Sequence, residues 1–272
     1  NAEGKRMNVS RDENAELFGL VIGGYGLFGV ITEVDLRLSP RQKLKRQVEI
    51  INLSDFAAKT SQRINEGYLY GDLQFKTDGT AEDFLQRGVY SFYIPVPLDT
   101  PIPQKQRKIS SDKWKELLAL AHSDKAQVFE DYTNYYLSTN GQLYWTDTHQ
   151  LGYYDENYEE YLKKTLPDYK TGSLMISEVY VPRQRIYDFM TALSLSNEKQ
   201  QLEIIYGTIR LIETDTETFL PWAKQDYACI VLNLRVEHSL LGLEKARSDF
   251  QLLIDAALNY GGSYFLTYHR WA

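Results

Sequence analysis

Stretches in which apolar and polar residues alternate with period two recur along this 272-residue chain, separated by stretches with helical spacing. In 203–212, Ile205, Gly207, Ile209 and Leu211 fall on one side of an extended chain, and Tyr206, Thr208 and Arg210 on the other. The same reasoning predicts strands over 47–51, 68–76, 89–96, 174–181, 227–236 and 264–268. Near the start, Val30, Thr32, Val34, Leu36 and Leu38 alternate with Ile31, Glu33, Asp35 and Arg37, a further strand closed by Pro40. Helical spacing predicts helices over 12–22, over 54–65 with Ser54 as cap, over 112–121 and over 125–137. Two more follow: one with Ile186, Phe189, Met190 and Leu193 on one face, and one through Leu243, Ala246, Phe250, Leu253 and Ala257, stopped by Gly261-Gly262. This mixture predicts an α+β fold, an antiparallel sheet with helices on one face.

The basic run 41–46 reads as a linker, which divides the chain into 1–40 and 41–272. About forty residues bury too little surface to stand alone. The chain begins without Met and stops just after a strand-like run, so it reads as a piece of a longer protein. Lys plus Arg number 30 and Asp plus Glu 37, a net charge of −7, which argues against nucleic acid as partner. No apolar run reaches the roughly 18 residues of a membrane span. One cysteine, Cys229, excludes an internal disulfide and a cysteine zinc cluster, and suits a reducing compartment such as the cytoplasm without establishing it. Inside an apolar strand, Cys229 reads as a small buried hydrophobe rather than a nucleophile.

Gly24-Tyr25-Gly26-Leu27-Phe28-Gly29 has the spacing of a dinucleotide fingerprint, yet a helix precedes it and a strand follows, the reverse of that motif. A helix stop and a turn account for one or two glycines. Four in seven residues suggest that something approaches the backbone closely, as when bare amides hold a pyrophosphate. The histidines, His122, His149, His238 and His269, lack metal-ligand spacing, and no metal site is expected. Asp147-Thr148-His149 reads as structural rather than as a catalytic pair, and Tyr132, Tyr135 and Tyr136 as core or interface aromatics. Tyr206, Thr208 and Arg210 could line a wet pocket for a hydroxylated or anionic substrate. They could equally form an exposed sheet face with Arg210 paired to a carboxylate such as Glu178.

The run from Leu17 to Thr32, LFGLVIGGYGLFGVIT, resembles the closing segment of the FAD-binding domain in FAD-linked oxidases of the vanillyl-alcohol oxidase and p-cresol methylhydroxylase type. The resemblance implies cofactor contacts, mostly through backbone, at Gly23, Gly24, Gly26, Gly29, Val30 and Ile31. The rest of the chain is similar to the ferredoxin-like substrate (cap) domain of the branch that includes sugar-lactone and alditol oxidases. Four runs carry that likeness: Tyr144–Gln150, Glu178–Arg183, Ile205–Arg210 and Tyr268–Trp271. It implies that 1–40 is the end of an FAD-binding domain and 41–272 the cap, and that a small hydroxylated substrate is oxidised by hydride transfer to flavin. Arg210 is then near the substrate, and His269, at the end of the last strand, turns toward the flavin as a proton acceptor. It also implies that much of the FAD domain lies outside this chain, so the chain alone should bind FAD poorly and expose residues 23–29. The rival expectation is a ligand-binding or assembly module without catalysis, built on the same ferredoxin-like sheet.

Overall fold

Strand formation centres on Arg87–Val96, where Val89, Tyr90, Phe92 and Tyr93, all strong strand formers, are buried on both sides of the chain. The computed structural model describes residues 3–148, 157–266 and 271. In chain order its elements begin with α1 (Ala15–Val21), β1 (Lys43–Asn52), α2 (Leu53–Asn65), β2 (Tyr70–Phe75) and β3 (Arg87–Val96). There follow α3 (Ser111–Ser123), α4 (Lys125–Ser138), β4 (Leu143–Trp145), α5 (Tyr158–Thr165), β5 (Gly172–Pro182) and α6 (Ile186–Gln200). The last are β6 (Ile204–Ile212), β7 (Tyr227–Glu237), α7 (Leu240–Asn259) and β8 (Ser263–Tyr264).

The chain divides into two compact units, 1–40 with 212–227, and 41–211 with 228–272. The first therefore takes in the loop between β6 and β7, a stretch that alternation alone assigns to the longer part. Within it, Arg11 pairs with Glu217 at 2.6 Å and Phe28 packs edge-on against Phe219 at 5.8 Å.

The larger unit is built on one sheet of eight strands in the order β4-β1-β3-β2-β6-β7-β5-β8. β1 and β3 run antiparallel from Lys43↔Val96 to Asn52↔Arg87, and β2 and β3 from Tyr70↔Tyr93 to Phe75↔Gly88. β2 joins β6 antiparallel at Leu73↔Ile209. The α+β class with an antiparallel sheet thus stands. Helices α2, α6 and α7 lie against one face and bury Phe56, Phe189 and Phe250 with Leu73, Tyr90, Ile209 and Ile230. Helix α4 adds a smaller cluster on the opposite face, Tyr136 against Val48 and Val89, because β3 is apolar on both sides.

Two expectations change. Residues 30–40 form no paired strand, and Val30 is 86% exposed and Leu38 82%. Alternation supplies the pattern of a strand, but a strand exists only through ladder hydrogen bonds, and among the described residues this stretch has no partner. The basic run 41–46 is not a linker throughout: β1 begins at Lys43, and Arg46 is buried.

Candidate functional site

In the first unit, α1 gives way to a tight turn. Tyr25 and Gly26 have φ of 52° and 75°, and the Leu27 N–H donates to the Gly24 carbonyl at 2.9 Å, a primed turn that favours glycine at its second central position. A Cβ at Gly24 would come within 2.2 Å of the Leu20 carbonyl oxygen, so the helix end closes only over a bare Cα. Local geometry therefore accounts for Gly24 and Gly26. It does not account for the amides beyond them: among the described residues, the N–H groups of Tyr25, Gly26, Gly29, Val30 and Ile31 donate to no acceptor. Gly23, Gly26, Val30 and Ile31 are exposed, Gly29 is half-buried and Gly24 is buried. The exposed ones among these amides are open to water or to an acceptor from outside the chain.

In the larger unit, β6 alternates as its sequence dictates. Gly207 and Ile209 are buried toward the main core, while Tyr206 and Arg210 are exposed and Thr208 half-buried on the other face. Register carries that face onto β2. The Thr208 hydroxyl donates to Asp72 Oδ2 at 3.0 Å, and Gln74 Nε2 donates to the same oxygen at 3.2 Å. The Tyr132 hydroxyl of α4 donates in turn to Gln74 Oε1. Burial pushes the Asp72 carboxyl above the ordinary carboxylate range, against the pull of these hydrogen bonds and of Arg210 and Arg46.

Arg210 itself forms no ion pair or hydrogen bond among the described residues. Glu178 stands two strands away on β5 and accepts the Tyr180 hydroxyl. Cys229 is buried, and burial followed by the nearby Glu178 charge pushes its thiol up, away from a reactive thiolate. His269 and His149 lie outside the described residues. Asp147 pairs with Arg41 at 2.9 Å. No group of three His, Cys, Asp or Glu side chains that could hold a metal ion occurs among the described residues, nor any helix long and apolar enough to cross a membrane.

Asp72, Gln74 and Tyr132 do not stand out in sequence. The alternation of Asp72 and Gln74 with Leu73 and Phe75 is nevertheless the signal that would have put both on the polar face beside Thr208.

No protein-family model matches the chain, and no curated protein does. Solved structures with a broad likeness include two cholesterol oxidases. One is a solvent-stable cholesterol oxidase, with a TM-score of 0.46, 13% identity, and coverage of 83% of this chain and 48% of that one. The other is a cholesterol oxidase from B. sterolicum, with a TM-score of 0.45, 10% identity and the same coverage. The chain spans about half the length of each. At these scores the likeness says nothing about individual residues.

Proposed function

We propose that this chain belongs to an FAD-dependent oxidoreductase that oxidises a small hydroxylated organic substrate, with residues 1–40 contributing to the cofactor site and the larger unit acting as the cap. The observation that carries this reading is the row of undonated N–H groups at Tyr25, Gly26, Gly29, Val30 and Ile31, in the segment whose sequence resembles the end of an FAD-binding domain. Gly23, Gly24, Gly26, Gly29, Val30 and Ile31 would hold the FAD phosphates and adenosine largely through backbone. When bound, the flavin would supply the acceptor for the hydride.

The polar face of the larger unit supplies the substrate contacts. The Arg210 guanidinium makes no hydrogen bond or ion pair among the described residues, and offers paired N–H donors to a substrate oxygen. Because the Thr208 proton is directed to Asp72, the Thr208 oxygen is left to accept from a substrate hydroxyl. Asp72, Gln74 and Tyr132 hold that orientation from behind. His269 takes the hydroxyl proton in this scheme, since imidazole titrates near working pH.

In the intact protein, Arg210→Ala should slow flavin reduction by small polyols about 100-fold, the scale of one lost oriented electrostatic contact, with flavin content unchanged. Gly26→Val, which forces a β-branched residue into positive φ, should instead lower the flavin retained on purification. An Arg210→Ala protein that reduces its flavin at the normal rate would remove the substrate role. A Gly26→Val protein that keeps a full complement of flavin would remove the cofactor role.

A further inference from the structure

Arg46 is only 3% exposed, and no carboxylate pairs with it among the described residues. Its guanidinium donates from Nε to the Tyr93 hydroxyl at 2.8 Å and from Nη1 to the Thr139 hydroxyl at 3.0 Å. It sits over three rings, 5.2 Å from Tyr93, 5.2 Å from Tyr136 and 4.8 Å from Tyr144. The cage stabilises the cation without neutralising it.

This caged charge forms one wall of a cavity of about 360 Å³, within the size range of small-molecule sites. Arg107 and Lys108 line the cavity as well, and among the described residues no acidic side chain does. Among the described residues neither the guanidinium nor the ammonium group makes a hydrogen bond or ion pair. Trp114, Tyr135 and Tyr144 supply flat apolar surface. The wall bearing the two exposed cations is held in place by paired amides. The Gln106 side chain accepts from the Leu143 N–H and donates to the Leu143 carbonyl, both at 2.8 Å, and Gln142 Oε1 accepts from the Arg107 N–H at 2.7 Å. Three cations gathered without an acid among the described residues, in a chain of net charge −7 and beside flat rings, suit negative charge on a flat ligand.

We propose that this cavity binds an aromatic ring bearing an oxyanion, a carboxylate or a phosphate. The ring stacks on Trp114, Tyr135 and Tyr144, and the oxyanion meets Arg107 and Lys108 with the Arg46 charge behind it. The site is separate from the Thr208–Arg210 face. Arg46 on β1 and Arg210 on β6 have β3 and β2 between them, about 14 Å at the usual strand spacing. Binding here requires no flavin.

The test is calorimetric titration of the protein with 2-naphthoate, 2-naphthyl phosphate and the neutral 2-naphthamide. At least one anion should saturate a single site, and the amide should bind at least about tenfold more weakly. The Arg107→Ala, Lys108→Ala double variant should weaken the anion about tenfold or more. Both positions are exposed, so its fold is not at stake. Saturation by neither anion, an amide that binds as tightly, or a double variant with unchanged affinity would each overturn the proposal.

Discussion

Arginine 46 shows how far a single residue can depart from what its neighbours in sequence suggest. It closes a basic run, yet it is buried by Tyr93, Tyr136 and Tyr144, which are brought in by β3, α4 and β4. No local pattern encodes an environment assembled from positions so far apart. Arg210 is the opposite case, since alternation along one strand is enough to put it on the polar face with Tyr206 and Thr208. His122 belongs with Arg46. Its Nε2 meets the Tyr158 hydroxyl, and its buried Nδ1 has no partner. Burial, and then the charges of Arg235 and Lys125, pull its pKa down to about 4. The unfolded chain takes up this proton near pH 6.5 and the folded chain only near 4, so stability is full above about pH 6.5 and is lost as pH falls toward 4. Between pH 7 and 4.5, urea unfolding should show a loss about 2 kcal/mol smaller in His122→Gln than in the parent. Parallel profiles for the two proteins would mean that His122 titrates normally.

At the scale of elements, the long periodic stretches were legible and the short ones were not. Helices α4 and α7 and strands β3, β6 and β7 lie where spacing puts them: α7 and the three strands bury apolar stripes, and α4 buries Tyr136 with Phe129, Tyr132 and Tyr135 half-buried beside it. Strand β4, three residues long, and α5, charged in both its first and last turns, carry too little apolar pattern to be read. Capping separates two otherwise similar serines. Ser239 accepts the Gly242 N–H at 3.0 Å at the start of α7, whereas Ser54, expected as a cap, lies inside α2 and reaches only Asp55. Ser239→Ala should therefore lower the unfolding free energy by about 1 kcal/mol. Ser54→Ala should leave the denaturation midpoint almost unmoved, and equal losses in the two variants would contradict the cap assignment.

For the molecule as a whole, the polar half of the candidate site was partly readable because it lies along one strand. Its support from Asp72 and Tyr132 depends on sheet register and on α4 lying across the sheet. One feature of the smaller unit bears on how the protein behaves in bulk solution. From Val30 to Leu38, apolar side chains and peptide groups without a partner among the described residues are displayed together, with Val34 61% and Leu36 76% exposed. Such a stretch is a template for β-pairing with a second copy. The net charge of −7 holds copies apart, so salt, by screening that repulsion, should promote association instead of suppressing it. Sedimentation velocity should then show a weight-average coefficient that climbs with both concentration and ionic strength, and Leu36→Lys should flatten the climb. A coefficient indifferent to salt would show that the stretch is colloidally inert, whereas the expected climb would make low ionic strength the condition for keeping this 272-residue chain monodisperse.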